Sequence, residues 1–361
     1  MKINFKKFLF LALTLFISAQ TFAQRVDENG YPIYKEMSEA DAQRVLGDMY
    51  SPKAFKVNGE TRHIKSSIIN GNSITTILYN YASICKPNTL GNIADLVWNG
   101  LGYGFEFGPL AAAPVINNSG SPVNIVSDSF VLTGQGDYDA TGTLKWGWLP
   151  KAGYVDTTEG QNEIARLGIK DTDGDGKPDS WPDRWYSAEL GQYVWPAFLG
   201  DQASAPDEEV YYVVDDFTNN EFDYSPSPSD STVRGLGLDM EVRVLQFNNS
   251  LAEDIMFLVY QITNASEKKI NGSYFGMHGD PHVGGASDYS DDRADFIDPF
   301  GESIKLQNVP QRARSMVYAW DDDGTGTGGR PTGYFGWKFL ESPSNNSDFI
   351  DNDDDGLTDE S

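Results

Sequence analysis

The chain has 361 residues, with 53 Asp and Glu against 27 Lys and Arg, and its formal net charge is −26. A surface this acidic repels phosphate backbones, which excludes nucleic acid as a partner because that affinity rests on cationic side chains. The one cysteine, Cys85, excludes an intrachain disulfide, and we expect it to be a small buried residue.

The first 23 residues are predicted to be a signal peptide. Three lysines precede an apolar run of ten residues, FLFLALTLFI, and small or polar residues then lead to a cleavage site after Ala23. Because about 20 apolar residues are needed to cross a bilayer, this run is too short to be an anchor. The sequence therefore predicts export by the Sec route to a secreted or cell-surface location, without membrane insertion after cleavage.

The mature chain is predicted to be mainly β. Short runs rich in β-branched and aromatic residues alternate with clusters of Gly, Asn, Asp and Pro. Short helices are predicted at 38–46 and 159–167. The expected fold is an antiparallel β-sandwich, immunoglobulin-like or jelly-roll-like, with long Asp/Gly-rich loops and few short helices. The earlier strands are predicted at Ile74–Tyr81, Tyr103–Phe107, Val123–Phe130 and Glu209–Asp215.

Three later strands are predicted to form an antiparallel meander. Leu236–Val244 alternates apolar and polar residues, which is typical of a strand with one face in water. Ile255–Ile262 is nearly all apolar, which predicts a central strand covered on both faces. A polar turn then leads to a third strand within Ile270–His278.

The mature chain is predicted to divide near residue 205. A β-rich region with a Ca²⁺-binding loop is expected at 24–205, and a sandwich-like region at 206–345. The segment Gly200–Asp207 is rich in small and polar residues, which fits either a domain boundary or a surface loop. An acidic linker at 346–361 is expected to stop inside a second Ca²⁺ loop, as it would in a fragment of a longer protein.

Two segments follow the pattern D-x-D-x-D-G-x-x-D, namely DTDGDGKPD at 171–179 and DNDDDGLTD at 351–359. Ca²⁺ binds about six to eight oxygen atoms, and loops of this kind supply alternating carboxylates followed by a backbone carbonyl. The alternative is a solvated acidic turn without a metal. The predicted ligands are Asp171, Asp173, Asp175, the carbonyl of Lys177, Asp179, Asp351, Asp353, Asp355, the carbonyl of Leu357, and Asp359.

These loops resemble the loops of EF-hands, dockerins and thrombospondin type-3 repeats, each over the length of one loop. The resemblance implies Ca²⁺ as the bound ion. Both loops depart from the pattern at position 12, which usually supplies an acidic bidentate ligand. That position is Pro182 in the first loop, and the second loop ends at Ser361 before reaching it.

A weaker metal site is predicted around His278-Gly279-Asp280-Pro281-His282. Along a strand, alternate residues of this segment would share one face and could bind Zn²⁺ or Fe²⁺. In a loop, which Gly279 and Pro281 favour, the alternation is lost, and the following acidic run would bind Ca²⁺ instead. The weaker metal candidates are His278, Asp280, His282, Asp291 and Asp292.

Aromatic residues cluster around the first Asp-rich loop, where they would either fill a core or stack on sugar rings. We predict a core, because buried aromatic rings supply large apolar area. The aromatic residues of this cluster are Trp146, Trp148, Trp181, Trp185, Tyr186, Tyr193 and Trp195.

The motifs of nucleophile elbows, zinc-protease helices and phosphate loops are absent from the sequence.

Several stretches resemble large secreted proteins of the Bacteroidetes and Ignavibacteria, many of which use type IX secretion. They are Leu96–Leu110 (LVWNGLGYGFEFGPL), DTDGDGKPDSWPD, Tyr260–Asn264, Gly276–Gly285 and the closing DNDDDGLTDES. The resemblance implies location and architecture rather than a reaction. The leading hypothesis is therefore a non-catalytic, Ca²⁺-binding adhesion or scaffolding module, whose partner is a glycan or another surface protein. The alternatives are a glycan-binding module and a secreted polysaccharide hydrolase that uses paired carboxylates.

Overall fold

A computed structural model describes residues 57–85, 96–129, 138–198, 205–297 and 316–340, together with the backbone of strands at 35–38, 303–306 and 309–312. The predicted signal peptide, nearly all of the predicted helix at 38–46 and the whole 351–359 loop lie outside these residues. No helix in this part of the chain is long and apolar enough to cross a membrane. Within it, the helical segments are three short 3₁₀ turns, at Thr61–His63, Ala152–Tyr154 and Asp183–Trp185.

The chain is mainly β, as predicted, and nearly all its strand pairs are antiparallel. The first ten strands are β1 (Lys35–Ser38), β2 (Ser66–Ile69), β3 (Ile74–Tyr79), β4 (Ser83–Ile84), β5 (Leu96–Trp98), β6 (Leu101–Ile116), β7 (Pro122–Ser127), β8 (Leu149–Pro150), β9 (Tyr186–Ser187) and β10 (Gln192–Ala197). The later strands are β11 (Glu208–Asp215), β12 (Leu238–Gln246), β13 (Met256–Asn264), β14 (Tyr274–Pro281), β15 (Asp292–Ile297), β16 (Ser303–Leu306), β17 (Val309–Arg312), β18 (Met316–Asp321), β19 (Thr325–Gly326), β20 (Arg330–Pro331) and β21 (Tyr334–Lys338).

The chain forms two compact units that are interleaved in sequence. The first unit comprises Met1–Ile84 and Gly108–His278, and the second comprises Cys85–Phe107 and Gly279–Ser361. The predicted division near residue 205 stays a prediction. In the first unit, β8 from before that point pairs with β11 from after it.

The first unit is built around a four-stranded sheet in the order β13-β12-β11-β8. Every residue of β11 and β12 is buried. The expectation of a wet face on Leu236–Val244 is therefore wrong, because Asp239, Glu241 and Arg243 are buried with polar partners. Ile255–Ile262 was expected to be a central strand covered on both faces. This is also wrong, since β13 is the half-exposed edge strand of this sheet.

The two faces of the β11–β12 pair differ in character. One face is mainly apolar, and it meets the segment from β2 to β4, where Tyr212 reaches the backbone of Ala82 and Gln246 bonds to Gly71 and Ile74. The other face carries charged residues and meets a core of aromatic side chains. Sheet packing of this kind is consistent with the predicted sandwich, while the immunoglobulin-like or jelly-roll-like type stays a prediction.

Residues 159–167 are not helical, which corrects the prediction of a short helix there. Gly160 has a φ of 87°, and the following residues run alongside β11. There Leu167 N donates to Glu209 O and Tyr211 N donates to Ala165 O. The backbone hydrogen bonds that a helix would make internally are thus made to a neighbouring strand.

The second unit contains a three-stranded sheet in the order β15-β18-β21. It also contains the β5–β6 hairpin, whose turn residues Asn99 and Gly100 both have positive φ, as a two-residue hairpin turn requires. The third strand of the predicted meander is β14, but β14 pairs with β6 rather than with β13. Cys85 is fully buried, as expected.

Candidate functional site

The predicted loop at 171–179 brings three of its carboxylates together. One oxygen from each of Asp171, Asp173 and Asp179 lies within 4.8 Å of the other two. Asp175, which the pattern assigns as a ligand, is not in this group, and its Oδ1 instead accepts a hydrogen bond from Lys177 N at 2.8 Å. Asp179, at position 9 of the loop, is thus better placed to bind an ion directly than Asp175, at position 5.

Hydrogen bonds within the loop hold these carboxylates in place. Asp171 accepts from Gly174 N at 2.7 Å and from Gly176 N at 3.0 Å, and Asp179 accepts from Thr172 N at 2.8 Å. Gly174 and Gly176 have φ values of 77° and 91°, which other residues rarely adopt. Each carboxylate oxygen has two lone pairs, so one backbone donor still leaves capacity to bind a cation.

The buried side chain of Lys177 anchors the loop to the first unit. The sequence predicted only its carbonyl as a ligand, but its side chain is 8% exposed and Nζ donates to Asp156 at 3.1 Å and to Asp183 at 2.8 Å. Burial disfavours the charged ammonium, but the hydrogen bonds to Asp183 and Asp156 outweigh burial and raise the pKa of Lys177. Lys177 and its two carboxylate partners therefore fix the loop to the rest of the unit.

The aromatic cluster beside the loop is a core, as predicted. Trp181, Trp185 and Trp195 are fully buried and contact one another, with ring centroids 5.0 to 5.8 Å apart. Trp148 is also fully buried, whereas Trp146, Tyr186 and Tyr193 are half-buried. Trp181 Nε1 donates to Arg166 O at 2.9 Å, which ties the segment after the loop to the residues beside β11.

Two buried charged groups underlie this core, and the sequence did not indicate either. Lys151 Nζ lies 2.6 Å from Asp239 Oδ1 and 3.7 Å from Asp215 Oδ2. Arg243 Nη1 donates to Glu209 at 2.6 Å, and Trp195 Nε1 donates to the other oxygen of Glu209 at 3.0 Å. These groups are enclosed within the first unit, so they belong to its interior rather than to an open site.

The second unit contains another acidic group, formed by Asp288, Asp291 and Asp321. Of the weaker candidates, only Asp291 belongs to it. Asp292 follows directly in sequence, while Asp280 is exposed and His278 is half-buried. The ring of His282 is buried between two aromatic rings, those of Phe105 and Tyr289, with centroid distances of 4.7 and 4.8 Å.

Neither histidine joins a group of three possible ligands within the part of the chain that the structure describes. The two groups that do form, one in each unit, consist of carboxylates alone. Carboxylate oxygens are the ligands that hard cations such as Ca²⁺ and Mg²⁺ prefer. Both groups could therefore hold a metal ion.

No family model, curated protein or solved structure matches this chain. Its chemistry must therefore be inferred from its own residues.

An outward-facing row of aromatic rings lies on the β15-β18-β21 sheet. Tyr318 and Trp320 alternate along β18 and stack with centroids 5.3 Å apart, and Tyr334 lies opposite Trp320 in the ladder. Tyr334 is 64% exposed, and the other two rings are half-buried. The opposite face of the same strands carries Phe335 and Trp337, which pack against Phe107. The rings of Tyr318, Trp320 and Tyr334 therefore form an aromatic surface that solvent can reach.

Proposed function

We propose that the protein is an exported, non-catalytic β-structured module that binds Ca²⁺ through the 171–179 loop and serves adhesion or scaffolding. The observation that carries this proposal is the convergence of Asp171, Asp173 and Asp179 within 4.8 Å of one another. Three carboxylates this close repel one another, and a divalent cation removes that repulsion. The signal peptide, the cell-surface location and the Ca²⁺ loop at 351–359 belong to the same proposal.

The bound ion would act as a structural clamp. The loop precedes Trp181, whose ring lies at the centre of the aromatic core, and Asp179 N donates to Lys170 O at the base of the loop. An ion that fixes the loop therefore also fixes the entry of the chain into the core. Loss of the ion would loosen the 171–179 loop and the chain that follows it into the aromatic core, and would thereby lower the stability of the first unit.

Thermal unfolding with Ca²⁺ and with a chelator tests this proposal. A ligand that binds only the folded state at 100 times its Kd stabilises that state by about 2.7 kcal/mol. We expect Ca²⁺ to raise the unfolding midpoint, and Asp171→Asn to remove most of this rise while retaining an acceptor for Gly174 N. The matched control is Glu159→Gln, an exposed residue with the same change in charge. Midpoints that are equal with Ca²⁺ and with chelator would contradict the proposal.

A glycan-binding module is the second candidate, and the row of Tyr318, Trp320 and Tyr334 favours it. Accessible aromatic faces stack on sugar rings, and the three neighbouring rings include Tyr334, which is 64% exposed. The buried tryptophans near the first loop do not support this function, because their faces are covered.

Binding to a panel of polysaccharides tests the second candidate. We expect Trp320→Ala and Tyr334→Ala each to weaken retention about fivefold, because each stacked ring contributes on the order of 1 kcal/mol. Tyr274→Ala, which removes a 71% exposed ring from the first unit, is the control and should bind normally. Equal retention of all three variants would remove this candidate, and release of soluble sugar would favour the hydrolase instead.

A further inference from the structure

Asp321 has a buried carboxylate oxygen whose charge the described chain does not satisfy. Asp321 ends β18 and is 4% exposed. Its Oδ1 accepts hydrogen bonds from Gly324 N and Thr325 N, which shape the turn before β19. Its Oδ2 is buried and accepts no hydrogen bond from the part of the chain that the structure describes. A buried carboxylate oxygen without a partner is costly, so this atom indicates a missing positive group.

A second carboxylate lies directly opposite. Asp292 at the start of β15 is the ladder partner of Asp321. Its Oδ2 accepts a hydrogen bond from Val283 N at 2.9 Å, and its Oδ1 is also buried without a donor among the described residues. Like charges directly opposite in a ladder destabilise the pair, with side chains only about 5 Å apart.

The turn before β15 adds two further carboxylates. One oxygen from each of Asp288, Asp291 and Asp321 lies within 4.8 Å of the other two. Gly284 forms the adjoining wall, where a Cβ would lie 3.0 Å from Asp288 Oδ2 and 3.4 Å from Asp321 Oδ2. A side chain at Gly284 would crowd Asp288 Oδ2, and the φ of 97° also favours glycine at this position.

No Lys or Arg among the described residues pairs with these carboxylates. The nearest arginine in sequence, Arg293, donates instead to Asp322 at 3.0 Å on the surface. His282 does not join the group, and its ring stacks against Tyr289 at a centroid distance of 4.8 Å. Neither Arg293 nor His282 donates a hydrogen bond to Asp321 Oδ2 or Asp292 Oδ1, and a cation from solution would satisfy both oxygens.

We infer that Asp288, Asp291 and Asp321 bind a further Ca²⁺ ion, with Asp292 beside them. The ligands are all oxygen atoms, which disfavours Zn²⁺, and they come from two turn residues and a strand end, an irregular arrangement that suits Ca²⁺ better than the strict octahedron of Mg²⁺. The ion would fasten the 284–291 turn to the hairpin that begins at Asp321. This site shares no residue with the 171–179 loop, so it stands even if that loop binds nothing.

Terbium luminescence tests the inference, because Tb³⁺ replaces Ca²⁺ and is excited through nearby aromatic rings such as Trp320. The whole chain is used in a background of Asp171→Asn and Asp353→Asn, which removes a ligand from each predicted loop. In this background we expect Tb³⁺ emission that Ca²⁺ displaces. Asp321→Asn should weaken Ca²⁺ binding at least about tenfold, because it removes a buried ligand charge but keeps the Oδ1 acceptor.

The control is Asp323→Asn, an exposed residue of the same hairpin, which should change Ca²⁺ affinity less than about twofold. Asp288→Asn is the second test variant, because it leaves the β18–β19 turn intact, and it should lose binding as Asp321→Asn does. Trp320→Phe should dim the emission without altering the Ca²⁺ affinity. The inference is overturned if the background protein binds no Tb³⁺, or if Asp321→Asn and Asp288→Asn bind like Asp323→Asn.

Discussion

Lys177 is the residue that links the acidic loop to the folded core. It occupies a position whose carbonyl was the predicted ligand, and its buried ammonium contacts Asp156 at 3.1 Å. Asp156 is itself 3% exposed and accepts further hydrogen bonds from Thr158. The loop therefore depends on a charge in the interior as well as on the ion it is proposed to hold.

Lys177→Met tests this role. The change keeps much of the apolar stem but leaves the Asp156 carboxylate buried without its cation, which costs about 3 kcal/mol in comparable buried pairs. We expect the free energy of unfolding, measured by urea denaturation, to fall by about that amount. Lys170→Met, at an exposed position beside the loop, is the control and should stay within about 0.5 kcal/mol of the parent protein. Two variants of equal stability would show that the Lys177 contact contributes little.

At the residue scale, the sequence predicted the acidic loop but not the geometry of its ligands. The spacing of Asp171, Asp173 and Asp179 was enough to nominate them, and they do converge. The exclusion of Asp175 depends on its hydrogen bond to Lys177 N. Of the second group, only Asp291 was among the predicted metal candidates. Asp321 was missed because it lies 30 residues from Asp291 in sequence, and only the pairing of β15 with β18 brings them together.

At the scale of elements, strand positions were predictable but solvent exposure was not. Alternation in Leu236–Val244 located β12, because side chains on a strand point to opposite faces in turn. It also suggested a wet face, since isolated charged residues are seldom buried. Arg243 and Asp239 are buried because Glu209 on β11 and Lys151, just after β8, pair with them. A sequence pattern cannot show a partner of that kind.

The facing carboxylates of β11 and β12 predict how the stability of the first unit depends on pH. Asp215 and Asp239 are ladder partners that share Lys151. Burial raises the pKa of Asp215 from 3.8 to about 8; Lys151 opposes this rise and Asp239 adds to it. The folded chain therefore holds this proton more tightly than the unfolded chain does. Stability is greatest below the unfolded pKa and is lost as the pH rises through the folded pKa.

We expect the free energy of unfolding to fall between about pH 4 and pH 8, by at most about 1.4 kcal/mol per pH unit for this group. Asp215→Asn carries no proton to lose and should flatten the profile, whereas Glu159→Gln should not. Urea denaturation at a series of pH values, with Ca²⁺ held constant, measures both. A profile for Asp215→Asn as steep as that of the parent protein would contradict this explanation.

At the scale of the molecule, each of the two units has its own acidic group. Composition and turn residues predicted the mainly β class, because short strands separated by Gly, Asn and Asp leave little room for helices. They could not predict that the second unit combines residues from before 108 with residues after 278. Strand pairing between distant segments carries no local signal in the sequence.

A crystal structure of the protein grown with Ca²⁺, with anomalous scattering recorded, tests the proposed Ca²⁺ site at 171–179 most directly. We predict an anomalous peak bound by Asp171, Asp173 and Asp179, with oxygen distances of about 2.3–2.6 Å. Carboxylates that point apart into solvent at this loop, with no peak among them at saturating Ca²⁺, would contradict it.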